Sequence, residues 1–266
     1  MMSTITDALV LPLRVTLTAW GFAQFGAQVL WLGKWQMPRL IRGDGDAAAR
    51  RQQALHAAHR HVDFYLRTLS ALDLVRFRFE GTPSAAPCVL VANHPSLLDF
   101  IVFLKDFPNA VCLYKSQSLD NPVLSSFVQV AGYIEGMDGT PGASKRIVNA
   151  CCERLREGHH VAIFPEGTRS KSATEVRRFR TTGFHAAMKS NTAVQPVAIH
   201  CRPLFLGKGQ RWSQFSRQAN HMTIRYLEPL HPDALAPERR SAAGLAEAAR
   251  TRICEALEDM EARHRD

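Results

Sequence analysis

The spacing of apolar residues changes period along the chain, and each change predicts an element. Val15 to Gly33 form nineteen residues without a charge, long enough to cross a bilayer. Thr16, Thr18, Gln24 and Gln28 within it fit poorly in hydrocarbon. After Gly43-Asp44-Gly45-Asp46, residues Leu55, Ala58, Val62, Tyr65, Leu66 and Leu69 recur at three- and four-residue steps, predicting a helix over about 47–72. From Leu74 the period drops to two, with Val75, Phe77 and Phe79 alternating with Arg76, Arg78 and Glu80. That is the pattern of a half-buried strand.

Beyond it, short apolar runs predict strands at 88–92, 110–114, 133–134, 161–164, 194–199 and 222–227. Helices are expected between them near 96–105, 121–130, 143–157 and 179–189, the third stopped by Gly158. A closing helix over 238–262 carries Leu245, Ile253, Leu257 and Met260 on one side. Alternating strands and helices imply an α/β fold, a largely parallel sheet flanked by helices on both faces. Three regions are expected: an apolar membrane-interface helix over 1–42, a connecting helix over 43–73, and an α/β domain over 74–266.

The N-terminal segment lacks the basic leader and small-residue cleavage site of a signal peptide. Three of the four tryptophans, Trp20, Trp31 and Trp35, fall in or beside it, with Arg14 before and Lys34, Arg39 and Arg42 after. Aromatic and basic flanks suit a helix lying at a membrane interface more than one spanning it. A helix packed on the protein's own core is the alternative.

Composition narrows the partners. The 266 residues carry 33 Lys plus Arg against 24 Asp plus Glu, a net charge of +9, which favours anionic surfaces or phosphorylated ligands. A nucleic-acid module is a third class, but no helix-turn-helix or aromatic stacking pattern accompanies the charge, so no nucleic-acid partner is expected. Six cysteines without C-x-x-C spacing read as buried free thiols of a reducing compartment. His56, His59 and His61 share a helix, but no carboxylate cluster completes a metal site, and none is expected.

Two motifs carry chemistry, each directly after a predicted buried strand, where open α/β sheets place ligands. In Asn93-His94-Pro95-Ser96-Leu97-Leu98-Asp99, Pro95 is expected at the first position of the next helix, with Asp99 projecting from its start. A carboxylate bonded to one imidazole nitrogen leaves the other as a base. Without a G-x-S-x-G serine, such a base suits activation of a hydroxyl on a substrate. A capped helix with a packed histidine is the plainer alternative. In Phe164-Pro165-Glu166-Gly167-Thr168-Arg169-Ser170, Gly167 lets backbone amides approach a ligand. Thr168, Arg169 and Ser170 offer donors suited to phosphate. Lys171, Arg177, Arg178 and Arg180 follow, and on its own the stretch also reads as a solvated basic loop.

Together, in order and spacing, NHPSLLD and FPEGTRS resemble the lysophospholipid and glycerol-phosphate acyltransferase family, of the 1-acylglycerol-3-phosphate acyltransferase type. Lys115 to Leu119 with Pro122 resembles that family's Lys-x-x-x-Leu…Pro segment, and Val194-Gln195-Pro196-Val197-Ala198-Ile199 its Pro-containing block. The resemblance implies that His94 is the general base and Asp99 its orienting partner. It implies substrate binding by Glu166, Gly167, Thr168, Arg169 and Lys115. It also implies an acyl-CoA or acyl carrier protein donor as substrate, no other cofactor, and membrane lipids as partners at the cytoplasmic face of the inner membrane. One block departs from the pattern. The family's Gly-x-Ile-x-x-x-Arg arginine is missing from Gly132-Tyr133-Ile134-Glu135-Gly136-Met137-Asp138-Gly139, where Glu135 and Asp138 would repel a phosphate. An acceptor other than a phosphatidate precursor, such as a specialised lipid or a glycolipid in carrier-protein-linked polyene assembly, is the alternative.

Overall fold

The computed structural model describes residues 2–43, 45–114, 120–136, 140–210, 216 and 218–265. Seven strands form one sheet: β1 (Val75–Glu80), β2 (Val89–Ala92), β3 (Val111–Tyr114), β4 (Ile134–Glu135), β5 (Val161–Ile163), β6 (Val194–Arg202) and β7 (Asn220–Tyr226). Their spatial order is β1-β7-β6-β2-β5-β3-β4. β6, β2, β5, β3 and β4 run parallel to one another. β7 joins β6 antiparallel, and β1 pairs parallel with β7 at the edge.

The strands that read as unbroken apolar runs are covered on both faces. Val89 and Val91 of β2 enter one core cluster, and Leu90 and Ala92 the other. On the first face lie α6 (Ala143–Arg156), α7 (Thr182–Ser190) and α8 (Ala242–Arg265), contributing Ile147, Phe184, Leu245 and Ile253. On the second lie α4 (Asp99–Asp106) and the second half of α3 (Ala47–Ala71), contributing Phe103, Tyr65 and Leu69. In β1, Val75 is buried and Phe77 and Phe79 are half-buried, while Arg76 and Arg78 between them are exposed, the period-two pattern of a strand with one face covered.

The N-terminal segment is one helix, α1 (Met2–Trp31), continued by a wide π-turn at Leu32–Gln36 and by α2 (Met37–Arg42). Among the described residues no helix is long and apolar enough to cross a membrane. The two glutamines that sit badly in hydrocarbon turn toward the protein, whereas Thr16 stays exposed and donates to the Pro12 carbonyl of its own helix. Gln24 donates to the Thr68 hydroxyl, and Gln28 Oε1 lies 3.3 Å from Nδ1 of His61, both on α3. Trp20, Trp31 and Trp35 face outward, each just over half exposed. Leu32 and Met37 are buried, so this segment is an integral part of the fold.

Three helix starts differ from their sequence reading; the closing helix expected from 238 begins at Ala242, after a short 3-10 turn over Pro237–Arg239. The helix expected near 96 begins at Asp99, leaving Pro95 outside it. Asp99 Oδ2 accepts from Ser96 N, and the Ser96 hydroxyl accepts from Leu98 N, so side chains take over the backbone donors of a tight turn. The helix expected from 179 begins at Thr182. Arg177 N and Arg180 N instead bond Glu166 Oε2 and the Pro165 carbonyl, which draws 177–180 across the preceding loop.

Chain order places the crevice. From β2 the chain passes through α4 to β3 on one side, and from β5 through α7 to β6 on the other. The neighbours β2 and β5 thus send their loops apart to opposite faces, the topological switch point at which α/β sheets open a ligand site.

Candidate active site

Both sequence motifs meet at this crevice. Asn93, fully buried at the end of β2, bonds the backbone N–H and carbonyl of Ile199 with its side-chain amide, clamping β2 to β6 where the loop departs. His94 Nδ1 lies 2.7 Å from Oδ2 of the fully buried Asp99. The imidazole stacks on Phe164, with ring centres 4.3 Å apart, and Phe164 stacks in turn on Phe103. The ring is therefore held at one edge by a carboxylate and across one face by an aromatic pair. Nε2 makes no hydrogen bond among the described residues, and His94 lines a cavity of about 270 Å³. Tyr114, Gly136, Pro165, Gly167, Arg180 and Gly183 are among its other walls.

Burial pushes the Asp99 carboxyl up to about 6, against the opposing pull of His94, Ser96 N–H and the nearby Arg169 charge. Its Oδ1 is buried with no partner among the described residues. Burial disfavours the ion, whereas the His94 bond favours it.

The second motif supplies the frame. Glu166 was expected to touch the acceptor; its buried carboxylate instead accepts from His94 N, the Ser170 hydroxyl and Arg177 N. Ser170 N returns a bond of 2.6 Å to the His94 carbonyl. Arg169 likewise turns away from open solvent: Nη1 donates to the Leu206 and Gly207 carbonyls at 2.6 and 3.1 Å. Ser96 donates to the Phe205 carbonyl in the same loop. Gly167, with φ of +71°, takes the left-handed conformation, and a Cβ there would stand 3.0 Å from the Arg180 guanidinium carbon. Thr168 is half-buried beside it. Lys115, Met137 and Asp138 lie outside the described residues.

Arg180, one of five basic residues between 169 and 180, lines the cavity beside His94. Its guanidinium has no hydrogen-bond or ion-pair partner among the described residues, unlike Arg169. Nothing in the sequence separates it from Arg177 or Arg178. Phe164 stands in the motif itself, but only its stacking shows what it does. Burial pushes the thiols of Cys151 and Cys201 up to about 12. All six cysteines are free, and no cysteine or serine lines the His94 cavity among the described residues.

A second cavity of about 250 Å³ adjoins, between α1, α3, α4 and α5 (Pro122–Ala131). Its walls are overwhelmingly apolar, including Phe25, Val29, Phe100, Leu124 and Phe127, and Tyr114 borders both cavities.

Residues 75–200, which contain both motif loops, match the acyltransferase family model. Those residues form an acyltransferase domain. The chloroplastic 1-acyl-sn-glycerol-3-phosphate acyltransferase of Arabidopsis thaliana is 29% identical over 169 residues, 61% of this chain and 46% of that protein. The lyso-ornithine lipid O-acyltransferase of Pseudomonas aeruginosa is 28% identical over 184 residues, 65% of this chain and 70% of that one. The crystal structure of a 1-acyl-sn-glycerophosphate acyltransferase from Thermotoga maritima has the same fold. Its TM-score is 0.74 at 21% identity, over 94% of this chain and 96% of that one. The chain spans less than half the length of the plant relatives it matches. Within the family's second block, Gly136 borders the His94 cavity, and Glu135 stands in a cavity next to it with Arg146 and Arg154.

The raised Asp99 pKa has a signed consequence. An acid with a folded pKa above its unfolded value favours folding while protonated, and its burial costs stability as pH rises from about 4 through 6. Asp99→Asn removes that titration. Thermal unfolding at pH 5 and pH 8 is expected to move in favour of the variant at the higher pH, by on the order of 2 kcal/mol. An unchanged difference between the two pH values would contradict the assigned shift.

Proposed function

We propose that this protein transfers an acyl group from a thioester, on coenzyme A or on acyl carrier protein, to a hydroxyl of a lysophospholipid-like acceptor. The observation that carries the reading is the His94–Asp99 pair beside a cavity that no serine or cysteine lines among the described residues. His94 Nε2 takes the proton of the acceptor hydroxyl as its oxygen attacks the thioester carbonyl. The tetrahedral adduct collapses, the carbon–sulfur bond breaks, and the imidazolium returns the proton to the departing thiolate. Asp99 keeps the productive tautomer and stabilises the imidazolium. Glu166 is a positioning residue, and Gly167 leaves room for Arg180. Thr168, Lys115 and Arg180 are the groups assigned to the acceptor headgroup, and Arg169 supports it through the 206–207 loop. The apolar cavity holds the acyl chain.

Two relatives frame the acceptor. The Arabidopsis thaliana protein is named for 1-acylglycerol-3-phosphate, and the Pseudomonas aeruginosa protein for a lyso-ornithine lipid. Asp138 at the position of the family's arginine favours a second reading, in which the acceptor is not a phosphate monoester. Membrane association rests on the outward tryptophans of α1 and the π-turn, with Arg39 stacked 5.4 Å over Trp35. That arrangement suits helix docking at the interface of an anionic leaflet. The cytoplasmic face is assigned from the six free cysteines, of which Cys88, Cys151, Cys152 and Cys201 are buried and Cys112 and Cys254 half-buried.

His94→Ala is expected to lower acyl transfer by about 10²–10⁴ with folding intact. The readout is mass spectrometry of lipids formed from acyl-CoA or acyl carrier protein with a panel of acceptors; near-normal turnover would sink the base assignment. Arg180→Ala is expected to raise KM for an anionic acceptor about tenfold, since a charged hydrogen bond contributes about 1.5–3 kcal/mol, while donor KM stays unchanged. Replacing Trp20, Trp31 and Trp35 together by Gln is expected to abolish flotation with anionic liposomes. Undiminished flotation would place the membrane contact elsewhere.

A further inference from the structure

The contacts of His94 leave its ring one soft motion. The backbone is pinned at both ends, since the N–H donates to Glu166 Oε1 and the carbonyl accepts from Ser170 N. The ring edge is fixed where Nδ1 lies 2.7 Å from Asp99 Oδ2. One hydrogen bond keeps its strength over roughly 30° of misalignment, so the ring can still tilt about that edge and swing Nε2 aside. A wall across the ring face opposes the tilt. Phe164 stacks on the imidazole with centres 4.3 Å apart and 24° between the planes.

Phe164 is itself buttressed. It stacks on Phe103, with centres 5.8 Å apart and 6° between the planes, and its carbonyl accepts from Gly167 N. Phe103 is fully buried and stands one turn after Asp99 on α4, so the two share one face of that helix. A single helix therefore supplies the carboxylate at the imidazole edge and the backing for the ring across its face. Filling space does not call for an aromatic at this position. Phe164 is half-buried and lines the His94 cavity; an aliphatic side chain would cover Phe103 but present no flat face to the imidazole. The face that Phe164 presents is the negative side of its quadrupole, which favours the charge that His94 gains with a proton.

Resting on the acyl-transfer reading, we propose that Phe164 is a positioning residue for His94: its ring, backed by Phe103, holds the imidazole at the tilt from which Nε2 takes the acceptor proton. The role lies in the chemical step and leaves the binding of both substrates alone. Displacing a reacting group by about 1 Å costs on the order of 10²-fold in rate, and a tilt of roughly 30° carries Nε2 about that far.

Phe164→Leu in the full chain tests this, with Phe164→Tyr as the variant that keeps the flat face. The assay uses palmitoyl-coenzyme A or palmitoyl-acyl carrier protein with 1-acylglycerol-3-phosphate or a lyso-ornithine lipid, whichever pair the wild type turns over best. In Phe164→Leu, kcat is expected to fall about 10–100-fold while both KM values stay within about twofold. Phe164→Tyr is expected to recover kcat to within about threefold of the wild type. Proton NMR reads the stack without turnover. The His94 ring signals, identified by their loss in His94→Ala, are expected upfield of an unstacked imidazole, to move downfield in Phe164→Leu and to return in Phe164→Tyr. Should the leucine variant lose its cooperative thermal transition, Phe164→Met repeats the comparison with a side chain that adapts to the space. An unchanged kcat in a folded aliphatic variant, or a raised KM with kcat kept, overturns the proposal; the first leaves Phe164 a space filler and the second a substrate contact. So does a loss of kcat in Phe164→Tyr with the upfield signals retained, because the stack would then be present without its effect. These three outcomes strike the positioning role alone, whereas a wild type that transfers no acyl group from either thioester removes the transfer reading and this proposal with it.

Discussion

Two loops leave neighbouring strands toward opposite faces of the sheet, and the buried carboxylate of Glu166 holds them together. Its oxygens accept from the backbone of His94, the hydroxyl of Ser170 and the backbone of Arg177, drawing three chain segments to one point. Unpaired, those donors and the carboxylate itself would each be costly to bury. Joined, they set the distance between the histidine and the basic strap of residues 177–180. The imidazole needs that frame because its own anchors come from different layers: Asp99 from the start of α4, Phe164 from the end of β5.

The order of the elements was legible because the parallel strands are covered on both faces and therefore read as continuous apolar runs. Helix starts were less legible. Ser96 and Asp99 make hydrogen bonds within a turn that displaces the first helical residue to Asp99, and loop-to-loop bonds from Arg177 and Arg180 hold back α7. Local pattern carries no information about such distant acceptors. The site was legible as types and spacing, and the histidine–aspartate pair lies where the spacing implied. The cationic group was not. Arg169 and Arg180 both stand in a basic stretch, and only the position of the 206–207 carbonyls decides that Arg169 faces the protein and Arg180 the cavity.

The N-terminal segment shows how one helix meets two apparently opposed demands. Its length and lack of charge suggest hydrocarbon, while its glutamines and threonines resist it. Rotation of α1 on α3 reconciles them, because Gln24 and Gln28 bond Thr68 and His61 while the tryptophans face outward. A helix that turns its glutamines toward the protein and its aromatic edge outward suits an interface better than a span. The π-turn after it brings Gly33 so close to α5 that a Cβ would fall 2.2 Å from the Val123 carbonyl oxygen. Here Gly is required by close backbone approach, and the Ser126 hydroxyl bonds the Gly33 carbonyl at the same crossing.

That crossing links the outer surface of the segment to its inner one. Leu32 and Gly33 of the π-turn line the apolar cavity together with Val123 and Leu124 of α5, while Trp31 and Trp35 on either side of them face solvent. The wall of the apolar cavity and the outward aromatic edge are therefore opposite sides of the same few residues. An acyl chain leaving a bilayer at this edge would meet the cavity without crossing the charged rim around Arg180. The headgroup, by contrast, would approach from the loops at the carboxyl ends of β2 and β5. On the proposed reading, the apolar and anionic ends of an amphiphile take separate approaches, since the sheet's switch point places the polar crevice and the helices packed beside it enclose the apolar cavity.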